Sequence, residues 1–207
     1  FLGLEKLQIN MTLEEIVIAV KGKIKNTGVL KGLFFGLVLN FTISPYSLAN
    51  DMPVGAGVQS GNVKISGPTQ DHMIIDQSSN KSIINWNGFS IHKNGRVDFN
   101  MPSSSSSSLN RVTGSTPSTI AGQLNSNGKV LIINPNGVMI TKEGVVKTGS
   151  FTASTLDIKN EDFLNNKFKF TGNGSSKSVN NKGKIIIGSG GSAALLGGQI
   201  SNSGVVS

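Results

Sequence analysis

Asp98, Asp157, Glu161 and Asp162 are the carboxylates with which this sequence could run general acid–base chemistry, and His72 and His92 are its two histidines. Cleaving a polysaccharide takes two carboxyl groups that converge across the substrate. Only Glu161 and Asp162 are adjacent, and side by side they read as a polar, solvated turn. Each histidine stands alone in the sequence; a base or a ligand needs a partner, so both read as surface or rung residues. The string "GSGGSAALLGG" (188–198) lacks the Lys-Ser/Thr of a phosphate loop and the Asp of a calcium-binding nonapeptide. Without cysteine there is no thiol nucleophile, disulfide or thiolate metal site. No catalytic centre, metal or cofactor is expected.

A different group stands out. Asn134-Pro135-Asn136-Gly137 interrupts "VLIINPNGVMI", a run otherwise apolar and β-branched. Asn suits the first turn position, Pro presets φ at the second, and Gly tolerates positive φ at the last. The flanks fit half-buried strands, so the reading is strand, turn, strand, with the turn closing a strand pair.

The elements around the turn are of one kind. Charged residues make up 14% and aromatics 6%, while Gly, Asn and Ser are frequent. That composition does not suit a helical bundle. From Asn50 onward no stretch keeps a 3.6-residue period, and "EDFLNNKFKF" (161–170) comes nearest, weakened by its Asn pair. What recurs is a Gly-bearing turn followed by β-branched residues: "KNGRV", "SNGKVLII", "KEGVV", "NNKGKIII" and "SNSGVV". Short strands at a period of ~20 residues predict a parallel β-helix. An immunoglobulin-like sandwich is the alternative, and it calls for longer alternating strands. Ser103 to Ser108 reads as a mobile loop, and Asn80 and Asn173 each head an Asn-x-Ser triplet. The sequence stops inside a repeat, which predicts a polypeptide that continues.

Net charge is +8, of which +2 lies before Asn50 and +6 after it. The basic residues after Asn50 are scattered singly, without the stripe or stacking rings of a nucleic-acid groove, so no nucleic-acid partner is expected. Before it, Lys21, Lys23, Lys25 and Lys31 precede an apolar run from Leu33 to Ile43, then Ser47-Leu48-Ala49. This is the plan of a signal peptide cleaved between Ala49 and Asn50, implying the Sec export machinery as a partner. A membrane anchor is the alternative, but the run is short of ~20 residues and Asn40 breaks it. The expected division is a leader over 1–49 and an all-β domain over 50–207.

Several stretches taken together carry a resemblance: "MIIDQSSNKSIINWNGFSI" (73–91), "VDFNMPSSSSSSLNRVTG" (97–114), "STIAGQLNSNGKVLIINPNGVMI" (118–140) and "GSFTASTLDIKNEDF" (149–163). In this order they resemble the amino-terminal secretion domain of two-partner-secretion exoproteins, the filamentous haemagglutinin family, closest to its high-molecular-weight adhesin branch. The resemblance implies a right-handed parallel β-helix with an amino-terminal cap. It implies a secretion signal recognised by an outer-membrane β-barrel transporter with periplasmic POTRA domains, and a product that is secreted or held at the surface of a Gram-negative bacterium. A host-cell receptor would belong to the region downstream. The family's secretion motif falls on Asn134, Pro135, Asn136, Gly137 and Val138, and its "LNRV" places Asn110 and Arg111. Trp86, in "INW", reads as core or cap; were it exposed, it would support direct adhesion to a glycan or protein. The haemagglutinin branch's upstream Asn-Pro-Asn-Leu is replaced here by "FNMPSSS", so its role is not carried to Asn100 or Pro102.

Overall fold

The computed structural model describes residues 52–172 and 174–207; the expected leader over 1–49, the expected cleavage junction Ala49–Asn50 and Asn173 lie outside them. Strands dominate and coil into a parallel β-helix with three faces. The first face stacks β4 (Lys81–Trp86), β6 (Ser107–Val112), β9 (Lys129–Ile133), β12 (Ser150–Ser154) and β17 (Ala193–Leu196), all parallel. The second stacks β3 (His72–Gln77), β5 (Arg96–Asn100), β8 (Gln123–Ser126), β11 (Val145–Thr148), β16 (Lys184–Ile187) and β19 (Val205–Val206). The third stacks β7 (Ser118–Ile120), β10 (Val138–Ile140), β15 (Ser178–Asn181) and β18 (Gln199–Asn202).

Alternation along each strand sends every second side chain inward, and parallel register stacks it on its equivalent one turn away. Met73, Val97, Leu124, Val146 and Ile185 form one such column on the second face. A turn advances 22 residues between Gly114 and Asn136 and 21 between Asn181 and Asn202. The amino-terminal end is capped: β1 (Gly57–Ser60) runs antiparallel on β4, and β2 (Val63–Thr69) antiparallel on β3. These two strands satisfy edges that would otherwise invite pairing.

Glycine marks two corners, and the longer column stands between the third and second faces. An added Cβ on Gly122 would stand 2.2 Å from the Gly95 carbonyl, on Gly183 2.3 Å from that of Gly144, and on Gly204 2.2 Å from that of Gly183. Stacked corners come too close for any side chain, which is why the glycines recur. Gly128 of "SNGKVLII" does not belong to this column. It sits at the next corner, where its carbonyl accepts from Gly149 N at 2.9 Å.

Two expectations change. The serine run is not a free loop, because Ser106, Ser107 and Ser108 are buried and the last two open β6. "EDFLNNKFKF" does begin in a helix, α1 (Asn160–Leu164), which stops at its Asn pair, where Asn166 adopts φ 58°. α1 lies in an excursion with β13 (Asp157–Ile158) and β14 (Phe170–Thr171), which pair antiparallel outside the coil.

Candidate functional site

Asn134 to Gly137 form a tight turn in which Gly137 N donates to the Asn134 carbonyl at 3.0 Å. Asn136 N donates to Asn134 Oδ1 at 2.9 Å, a second ring inside the first. Gly137 has φ 112°, open to glycine and strained for other residues. The turn does not close a strand pair. β9 pairs with β6 and β12 and β10 with β7 and β15, so the turn is a corner that carries the chain from one face to the next. The sequence pattern of a hairpin and that of a solenoid corner are alike; only pairing separates them.

The turn is tied to the coil below it. Asn134 is fully buried, and its Nδ2 donates to the Thr116 carbonyl at 3.0 Å and to Ser118 Oγ at 2.9 Å. Asn136 Nδ2 donates to the Gly114 carbonyl at 2.9 Å. Pro135 is half-buried and its carbonyl accepts from Ser175 Oγ at 2.6 Å, while Val138 is buried between Ser118 and Val179. Thr116, Ser118 and Gly114 were not singled out by sequence. Their signal is the period, since they lie 16 to 22 residues earlier.

Asn110 and Arg111 point opposite ways. Asn110 takes the inward place between Ile84 and Ile132 and is fully buried. Its Oδ1 accepts from Trp86 Nε1 at 3.0 Å and its Nδ2 donates to Ser108 Oγ at 3.1 Å. Ser108 Oγ receives the Ser82 hydroxyl at 3.0 Å, so the polar groups inside the early turns are paired with one another. Trp86 is 1% exposed and meets Phe89 edge-on at 5.4 Å, so its ring offers no outward surface for adhesion. Arg111 faces outward and clamps the excursion: Nε to Asp157 Oδ1 at 2.9 Å, one terminal nitrogen to Asn160 Oδ1 at 3.0 Å, the other to the Ile158 carbonyl at 2.6 Å.

The geometry is that of a folding unit whose buried polar groups face inward or lock turns together, and the comparisons agree. Residues 49–207 match the model of the TPS (two-partner secretion) domain. The chain belongs to this family. Two heme/hemopexin-binding proteins of Haemophilus influenzae are 35% identical over 152 residues and 36% over 126. The matches cover 72% and 61% of this chain but 17% and 14% of theirs, so it corresponds to less than a fifth of those relatives. The crystallised secretion domain of HMW1 from Haemophilus influenzae aligns with a TM-score of 0.70 at 38% identity, covering 74% of this chain and 41% of that one. As a TPS domain the chain is the secretion signal of an exoprotein, served by a dedicated outer-membrane transporter and delivered to the surface or surroundings of a Gram-negative bacterium.

The acid–base candidates take structural places in this TPS domain. The histidines are not partnerless: His72 Nε2 lies 2.7 Å from Asp98 Oδ2, and His92 Nε2 3.2 Å from Asp71 Oδ1. Asp98 also accepts from Arg96 Nε and Asn125 Nδ2, each at 2.9 Å. Burial pushes the Asp98 carboxyl up, but the hydrogen bonds from Arg96, Asn125 and His72 and the Arg96 charge outweigh it and hold it below its ordinary value. Asp157 is taken by Arg111 on the other side of the coil, and Glu161 and Asp162 sit in the first turn of α1. No group of three or more potential metal ligands occurs among the described residues.

Proposed function

We propose that residues 50–207 are read by the transporter's periplasmic POTRA domains before they coil, and that coiling outside the cell then biases export forward. The observation that carries this is the enclosure of the motif. Asn134 and Asn110 are 0% exposed once folded, so a receptor that needs their side chains has to meet them in the unfolded chain. Pro135 and Asn136 alone keep part of the motif's polar surface accessible after folding. A chain without cysteine suits this order of events, since no disulfide can close a loop too wide for a pore.

Within the same reading, residues 1–49 are a leader cleaved at Ala49–Asn50 that delivers the chain through Sec to the periplasm. Any receptor-binding activity resides downstream of residue 207. The matched relatives include heme/hemopexin-binding proteins and the secretion domain of HMW1, and we read the secretion domain as separate from the effector and without a catalytic role of its own. Asp98 and Asp157 already serve Arg96 and Arg111.

Deleting residues 50–207 from the full-length exoprotein, with the leader kept, tests the reading. The truncated protein is expected to accumulate in the periplasm and to be absent from the medium. Export at the normal level without these residues would overturn it.

A further inference from the structure

In a solenoid each turn touches only the turns beside it, so the coil can grow or melt one turn at a time. The first face keeps that rule: β6 pairs with β4 and β9, and β9 with β6 and β12. The excursion breaks it. It leaves the coil after β12, in the fourth turn, and comes back over the outside of the first face. There Ile158 and Phe163, with Phe170 packed against them, meet Ile83 of the first turn, Leu109 of the second, and Leu131 and Ile133 of the third. Every member of this cluster but Phe170 is buried, and the cluster is distinct from the core inside the coil.

The polar ties repeat the pattern. Lys81 Nζ, at the start of β4, donates to the Phe163 carbonyl at 3.1 Å. Arg111, near the end of β6, donates to Asp157 Oδ1 at 2.9 Å and to the Ile158 carbonyl at 2.6 Å. These three ties span 82, 46 and 47 residues, whereas ties between neighbouring turns span 21, 22 and 26. Contacts that skip turns add a coupling that a nearest-neighbour stack lacks, so the turns they join open together.

We propose that the excursion is a strap that makes the first three turns and residues 157–170 one closing unit, formed and lost as a whole. On the outward side of the face, what buries Ile83, Leu109, Leu131 and Ile133 is the strap, so no one of these turns reaches its native burial alone. For its role in export the proposal rests on the reading that coiling outside the cell biases the chain forward, and it adds where that bias is generated. Whichever end of the chain leads, the unit closes only when the whole stretch from Lys81 to Phe170 lies outside. Forward bias then comes as one concerted step, and a closed unit resists return as a whole.

Hydrogen exchange of the secreted full-length exoprotein, read peptide by peptide, tests the strap. Phe163→Ala removes its buried ring and is expected to speed exchange in β4, β6 and β9 together, on the order of 100-fold, while β15 and β16 keep the wild-type rate. Lys81→Gln, which gives up only the ties to the Phe163 and Leu164 carbonyls, is expected to move the same three strands several-fold. Ile185→Ala, in the coil interior beyond the excursion, is the control; it is expected to loosen β16 and its neighbours and to spare β4 and β6. Exchange that rises only within residues 157–170, or evenly over every turn, overturns the proposal. Should Phe163→Ala not be recovered folded, Lys81→Gln alone decides between these outcomes. Loosening as expected, with release into the medium at the wild-type rate, overturns the export role and with it coiling as the source of the bias, but not the closing unit.

Discussion

Asn134→Ala removes the side chain that joins the Asn-Pro-Asn-Gly corner to the turn below. The donor lost serves the Thr116 carbonyl and Ser118 Oγ; the acceptor lost serves Asn136 N. Ser118, like Asn134, is fully buried, so no water replaces its partner. One buried group left unpaired, Ser118 Oγ, at ~1.5 kcal/mol, and two part-buried ones, the Thr116 carbonyl and Asn136 N, at ~0.75 kcal/mol each, predict a loss of about 3 kcal/mol. Asn136→Ala gives up the Gly114 carbonyl at a half-exposed position, for about 1 kcal/mol. With a urea dependence of ~2 kcal/mol per molar, the midpoints fall by ~1.5 M and ~0.5 M respectively. Urea titration of the purified domain followed by circular dichroism reads both. A shift for Asn134→Ala no larger than that for Asn136→Ala refutes the account of Asn134 as the buried tie.

Other substitutions test the same structure elsewhere. Gly122→Ala forces a Cβ to within 2.2 Å of the Gly95 carbonyl and is expected to cost ~3 kcal/mol, whereas Gly172→Ala meets only Leu156 Cδ2 at 3.9 Å and should unfold close to wild type; equal urea midpoints for the two contradict the stacked-corner argument. Arg111→Ala frees the excursion, so trypsin should cut at Lys159 and Lys167 ~10-fold faster, and Arg111→Lys should not restore protection because an ammonium lacks the guanidinium fork. Unchanged cleavage of both variants removes Arg111 as the clamp. Asp98 has a folded pKa depressed below its ordinary 3.8, so its contribution to stability is present above that value and is lost as the pH falls through the folded pKa. The gap between wild type and Asp98→Asn should therefore be full at pH 6 and shrink below ~3.8; a gap that widens on acidification contradicts the assignment.

The solenoid was legible because its period is written in β-branched residues and corner glycines. Gly95, Gly144, Gly183 and Gly204 do stack, yet Gly128 has the same local wording at a different corner, since a Gly turn says nothing about which two faces it joins. For the same reason the Asn134 turn read as a hairpin. The serine run misled because Ser108 satisfies its hydroxyl with Ser82 and Asn110, 26 residues before it and two after it, so a polar residue could enter the interior. His72 and Asp98 are 26 residues apart on adjacent strands whose register runs 24 residues, so a period of ~20 did not pair them. The Arg111 clamp was not recoverable that way. Its partners lie 46 to 49 residues on, inside an excursion that breaks the period.

This TPS domain is a signal addressed to a dedicated outer-membrane transporter. Its most direct test is the appearance in the medium of a protein spanning residues 1–207 alone, produced in isogenic cells with and without that transporter. Release of the folded β-helix is expected only when the transporter is present, with retention inside the cell envelope when it is absent. Equal release from both strains would contradict it.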